Sequence, residues 1–501
     1  MSIKKLAGQT VWYGMSNIAA KLLNYILTPI ITHLLNSPQG RVDYGDVSML
    51  YAAIAFANII FTYGLETGYF RFSSQVADKK TLFHTLFNSI LGSTILLSGL
   101  LILFRVPISE FVEQQGHTDY IVLATFIIAF DALAALPFAL LRQEDRPKKY
   151  AFVRIIGILV NIFLTVFFIY YSPKIVNPDS DNIYSIWYQK QTNVSLLLIA
   201  NLAQTVITFL FLWKEWGSFS WKMDWHLWKK VMRYSTPMLI IGLGGMVNET
   251  IDRLMLPKLL LADETVAKTT VGIYAANYKL AIFITLFIQA FRLGAEPFFF
   301  NQANSKNAPQ TYARVMKWFV ITLCVAFLFT ALFIDVWVRL IGSSYRSGVG
   351  LVPILLAANI ALGIYYNLSV WYKITDKMRM GIYITLIGAA ITLLMNYFLI
   401  PIYGMYACAW ATCSCYVVMM VCSYFLGQKY FAVPYDVKRI GGYVLLIGVL
   451  YAIQQFVATA TPHLFLRIVT ASGLFVLFFL VVYKLEKEEL KKMPVIGKLL
   501  S

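Results

Sequence analysis

Apolar residues along this chain do not alternate with polar ones; they come in long runs of about 20, each closed by a short polar stretch. Such runs fall at about 8–35, 45–70, 84–105, 118–141, 150–171, 194–213, 233–261, 271–296, 314–335, 349–371, 381–400, 404–426, 440–459 and 464–483. A soluble domain can bury a few segments of this kind as core helices, but not a series that continues from one end to the other. The pattern predicts an all-α integral membrane protein of about 14 transmembrane helices. The break Pro401-Ile402-Tyr403-Gly404 reads as a tight turn between the eleventh and twelfth. The start, with Lys4 and Lys5 before a run too long for a signal-peptide core, reads as an uncleaved first span.

Composition agrees, with 59% hydrophobic and 13% charged residues in 501. A net charge of +17 invites a nucleic-acid reading, yet the bases sit in short loops between apolar runs rather than on a basic domain. Their positions instead set an orientation, because cytoplasmic loops concentrate Lys and Arg. With both termini inside, the dense loop of Arg142, Arg146, Lys148 and Lys149 is cytoplasmic, and the stretch with Glu110, Glu113 and Asp119 is external. The largest outer loop, 172–193, is too small for a separate catalytic or binding domain.

The chain also carries an internal echo. Arg142, Asp145, Arg146 and Lys148 through Gly157 align with Lys373, Asp376, Lys377 and Arg379 through Gly388, an offset of 231 residues. Thr28-Pro29 followed by Tyr44-Gly45 matches Pro257 followed by Val271-Gly272 at about 228. An offset of six spans preserves membrane orientation and predicts two six-helix lobes plus two C-terminal helices, with a cavity between the lobes that opens to one side at a time. The expected division is 1–215 for the N-lobe, 216–430 for the C-lobe, 431–483 for the two extra spans and 484–501 for a charged cytoplasmic tail.

Ionisable residues inside spans are the functional pointers, since each costs at least about 2.5–3.5 kcal/mol at mid-bilayer unless it faces water or a partner. Asn17, Lys21, Asn24 and Thr28 recur on one face of span 1. Span 7 holds Glu249, Asp252 and Arg253, with Glu249 and Arg253 placed to pair locally at i, i+4. Lys279, Arg292 and Glu296 lie in span 8, Asp131 in span 4 six residues before Pro137, and Glu66 toward the inner end of span 2. Lys21, Asn24, Arg253, Lys279 and Arg292 are candidate substrate contacts. Asp131, Glu249, Asp252, Glu66 and Glu296 are candidates for ion coupling or charge balance. The five cysteines lie inside apolar runs with no His or carboxylate beside them, so they read as packing residues; no metal and no cofactor is expected. No phosphate-binding glycine loop, H-E-x-x-H pair or G-x-S-x-G elbow occurs, which argues against an enzyme.

The stretch from Asn396 to Thr412, with Leu399-Ile400-Pro401, Tyr403-Gly404, Ala409 and Ala411-Thr412, resembles the N-x-x-L-I-P-x-[FY]-G-x-x-G-A-A-x-A-T pattern of bacterial polysaccharide flippases. These form part of the multidrug/oligosaccharidyl-lipid/polysaccharide exporter superfamily. Ile251-Asp252-Arg253, Val271-Gly272-Ile273-Tyr274 and Thr28-Pro29 before Tyr44-Gly45 are further echoes, while Cys408 departs from the small residues of the pattern. The resemblance implies a flippase that carries a polyprenyl-pyrophosphate-linked oligosaccharide from the cytoplasmic to the outer leaflet of a bacterial inner membrane. It implies as partners the lipid-linked oligosaccharide, the bilayer and polysaccharide polymerase or other assembly proteins, with no nucleic acid. A cationic-drug exporter or lipid II flippase of the same superfamily, and a membrane-embedded polysaccharide-assembly enzyme, are the alternatives.

Overall fold

Helices in this chain begin where the sequence supplies a cap. Ser37 Oγ accepts the Gly40 N–H at 2.9 Å ahead of Pro38, and Asp78 accepts those of Lys80 and Thr81 at 3.0 and 3.1 Å. Thr192 and Ser195 form a reciprocal capping box, while Asp224 and Asp436 accept the N–H groups of Leu227 and Arg439. Each cap satisfies a donor that a helix terminus leaves open. Asp78 is fully exposed, and its hydrogen bonds to Thr81 hold its carboxyl below the usual carboxylate range.

The structure is a computed structural model that describes residues 22–23, 25–73, 75–177, 182–216, 220–302, 305, 307–375 and 377–491, excluding the side chains of 293, 294, 296, 297, 300 and 301. It opens with α1 (Tyr25–Leu34), α2 (Pro38–Thr62), α3 (Leu65–Ser73), α4 (Lys79–Leu103), α5 (Arg105–Phe111), α6 (Thr118–Gln143) and α7 (Pro147–Val166). After a π-turn follow α8 (Ser172–Ile175), α9 (Ile183–Gln189), α10 (Asn193–Phe211), α11 (Trp213–Trp216), α12 (Trp225–Thr250), α13 (Asp252–Leu259) and α14 (Glu264–Gln302). The remainder is α15 (Ala308–Ala331), α16 (Ile334–Trp337), α17 (Val352–Leu368), α18 (Val370–Ile374), α19 (Met378–Tyr403), α20 (Met405–Tyr430), α21 (Val437–Ala460) and α22 (Leu464–Leu490). Among the described residues no strand forms.

Among the described residues, twelve helices, counted through their internal breaks, are long and apolar enough to cross a membrane. The other two expected spans are the first, most of which lies outside the described residues, and the seventh, built from α12 and α13. Side chains such as Phe456 and Phe465 are 74% and 76% exposed, which water would penalise and lipid tails would not. The chain is a multi-pass membrane protein.

Several local features differ from the sequence reading. The seventh span is two helices that meet at Ile251. The eighth begins at Glu264, about two turns earlier than expected, so Glu264 and Lys268 belong to the helix. Pro401 does not end the eleventh: α19 runs through it to Tyr403, and Gly404, with φ 53°, makes the turn. Proline there forfeits one backbone donor, and the positive φ that reverses the chain suits glycine.

The chain divides into two compact units. One comprises Met1–Lys279, Ile341–Gly348 and Lys377–Met419. Within it α10 packs on α6 and α7, α4 packs on α6, and α12 packs on α2, α3 and α19. Ala134, Phe138, Leu141, Tyr150, Val153 and Leu212 form one of its cores. At the α2–α3 break Gly64, with φ 73°, lies against the Ser235 carbonyl, where a side chain would collide. The other unit comprises Leu280–Leu340, Val349–Asp376 and Met420–Ser501. There α15 packs on α17, α21 and α22.

Candidate functional site

The break at Ile251 gathers charges of the seventh and eighth expected spans in the first unit. Asp252 is the first residue after the break, and its Oδ1 accepts the Arg253 N–H at 2.8 Å. Its other oxygen accepts a short hydrogen bond from the Tyr274 hydroxyl of α14. Asp252 is buried, so these two bonds replace the water a carboxylate would otherwise demand.

Arg253 follows directly and lies over the Tyr278 ring, with its guanidinium carbon 4.6 Å from the centroid. The π face attracts the cation and shields it from lipid. Tyr274 and Tyr278 are one turn apart on α14, and that spacing lets a single helix face hold both the acid and the base of α13. Glu249 lies within electrostatic reach of both Arg253 and Lys279. Lys279 follows Tyr278, and its carbonyl accepts the Tyr25 hydroxyl of α1 at 2.8 Å. Tyr44 of α2, buried and edge-on to Tyr345 at 5.6 Å, is also within reach of Arg253. Two acids and two bases are thus gathered among tyrosines.

The structure therefore brings Glu249, Asp252, Arg253 and Lys279 together. Lys21 and Asn24, expected on the same helix as Tyr25, lie outside the described residues. Asp131 is elsewhere in the unit: on α6, hydrogen-bonded to Asn58 of α2 and within reach of Arg154 of α7. Both Asp131 and Arg154 are exposed, and Arg154 also lies 4.8 Å over the Phe138 ring. Glu66 is ion-paired with Arg142 of α6, whose guanidinium stacks over Phe70 at 4.9 Å. Arg292 belongs to the second unit, 4.2 Å over the Tyr366 ring. The Glu296 side chain is outside the described residues. Sequence reasoning missed Arg154, taken as part of an apolar run, and the tyrosines, since an aromatic residue in a span is ordinarily a packing residue. Their one signal was the spacing of Tyr274 and Tyr278 behind Asp252. Among the described residues no group of three His, Cys, Asp or Glu side chains could hold a metal.

The helices define a polytopic membrane protein, and its fold matches those of solved flippase and multidrug-transporter structures. A structure of the lipid II flippase MurJ in an inward closed conformation matches with TM-score 0.68 at 13% identity, over 93% of this chain and 98% of that one. An inward-facing multidrug resistance MATE family transporter of the MOP superfamily matches with TM-score 0.61 at 12% identity, over 85% and 95%. The MATE multidrug transporter DinF-BH matches with TM-score 0.59 at 16% identity, over 86% and 96%. No curated protein matches the sequence. The chain itself belongs to the polysaccharide biosynthesis protein family, which it matches over residues 6–295.

Proposed function

We propose that this protein is a transporter that flips a polyprenyl-pyrophosphate-linked oligosaccharide from the cytoplasmic to the outer leaflet, for cell-surface polysaccharide assembly. The observation that carries the proposal is the cluster at the α12–α13 break, where Arg253 and Lys279 stand at membrane depth with Glu249 and Asp252 as counter-charges. A pyrophosphate crossing a bilayer needs cations to replace its water, and acids nearby let those cations remain charged when no cargo is present. Family membership supports the polysaccharide cargo over a drug. In this reading Lys21, Asn24, Arg253, Lys279 and Arg292 contact the cargo in turn, and Asp131, Glu249, Asp252 and Glu296 balance charge or couple an ion. Glu66 is better explained by its partner Arg142.

The cavity lies between an N-lobe (1–215) and a C-lobe (216–430), and alternating access moves the cargo without changing its bonds. The protein resides in a bacterial cytoplasmic membrane with both termini inside, alongside polymerase and other assembly proteins. An exporter of cationic drugs would depend on the acids instead, and the two readings separate on charge. R253Q and K279M, each confirmed to reach the membrane, are expected to lower surface polysaccharide at least tenfold. Normal surface polysaccharide in both would overturn the cargo assignment.

A further inference from the structure

At the end of the bundle that loop charge assigns to the outside, two stretches more than 200 residues apart meet backbone to backbone. A Cβ on Gly45 of α2 would collide with the Lys268 carbonyl of α14, and a Cβ on Gly272 with the Arg41 carbonyl. Glycine at both positions lets the helices cross this closely, as small residues do in membrane packing. Beside the crossing, Lys268 Nζ pairs with Asp46 at 3.2 Å, and both residues are buried. The 341–348 stretch closes the same end. Asn36 Oδ1 accepts the Ser344 N–H at 2.9 Å, the Tyr345 hydroxyl bonds the Leu35 carbonyl at 2.9 Å, and Asn277 Nδ2 bonds the Tyr345 carbonyl at 2.8 Å.

Each charge of the pair also has a partner on its own side. Gln114, which follows α5, donates to Asp46 at 2.7 Å, and Glu264, one turn before Lys268 on α14, pairs with it at 2.8 Å. Separating α2 from α14 therefore breaks the Asp46–Lys268 contact without leaving either charge bare. A buried pair with no such reserve would be costly to part, because the lone charge is what penalises breaking it. This one is built to be parted.

We propose that the Asp46–Lys268 pair and the Gly45–Gly272 crossing form the outer gate of the transport cycle, closed in this structure. The inference rests on the transport reading above. The crossing fixes one tight register, the ion pair selects it, and Gln114 and Glu264 hold the two charges when the gate is open. The gate switches between two packings rather than deforming continuously.

The test joins a reporter pair to charge variants. With N36C and S344C introduced in the full chain in membrane vesicles, oxidation is expected to cross-link the outer end rapidly. Oxidation should also stop translocation of a fluorescent polyprenyl-pyrophosphate oligosaccharide, and reduction should restore it. D46N or K268M is expected to slow cross-linking severalfold, and K268M reports the same pair should D46N fail to accumulate. The exchanged pair D46K/K268D, made with E264Q to remove a like-charge neighbour, should recover most of the rate. Cross-linking at the native rate in both single variants, or translocation that persists in the cross-linked protein, would overturn the gate. Because cross-linking needs no cargo, charge-dependent cross-linking in a protein that moves no lipid-linked oligosaccharide would support the gate while rejecting the cargo.

Discussion

Arg253 shows how a full charge is kept in a segment expected to span the bilayer. Exposed to lipid it would cost at least about 2.5–3.5 kcal/mol; here it has Asp252 and Glu249 within reach and the Tyr278 ring beneath it. Tyr274 belongs to the same arrangement through its hydroxyl on Asp252. Y274F removes one of two hydrogen bonds to a buried carboxylate and is expected to cost about 1.5–3 kcal/mol, read as a lower unfolding midpoint of the purified protein. An unchanged midpoint would mean the carboxylate is held by other means. Among these residues the charges were legible in the sequence because ionisable groups are rare in spans. Their partners were not, since a tyrosine in an apolar run carries no mark of what its hydroxyl will meet. Lys268 was hidden for another reason: the apolar run starts at about 271, while the helix begins at Glu264 because polar residues also extend a helix at the membrane surface.

At the scale of elements, the two C-terminal helices show how a peripheral hairpin is fastened. Lys317 of α15 pairs with Glu486 and Glu489 of α22 at 2.5 and 2.9 Å, and Glu486 also accepts the Tyr443 hydroxyl of α21 at 2.8 Å and lies 3.3 Å from Arg439. Lys317 and Glu486 are buried. K317M strips this network of its central cation and is expected to destabilise the second unit by about 3–5 kcal/mol, whereas K317M with E486M should recover most of the loss. Susceptibility of the 431–436 connection to protease, in detergent, measures both; equal loss in single and double variants would contradict the pairing. Twelve of the expected spans, among the described residues, were plain from hydropathy alone. The junction at Ile251 and the continuation of α19 through Pro401 were not, because a run of apolar residues reads the same whether its helix is whole or broken.

For the whole molecule, the chain belongs to the polysaccharide biosynthesis protein family and shares its fold with solved flippases and multidrug transporters; the lipid-linked cargo is our proposal. The residues of the cluster come from spans 7 and 8 with Tyr25 from span 1, and those of the proposed gate from α2 and α14. A one-dimensional reading could propose a cavity from isolated charges, but it could not pair Asp46 with Lys268 across more than 200 residues. The central claim is movement of an intact lipid-linked glycan, and leaflet exposure measures it directly. Purified protein in sealed vesicles, given a fluorescent polyprenyl-pyrophosphate oligosaccharide in one leaflet, should transfer it to the other with its covalent structure unchanged, at a rate at least tenfold above that of the R253Q protein. Transfer no faster than in protein-free vesicles, or a glycan altered in its bonds, would contradict the account.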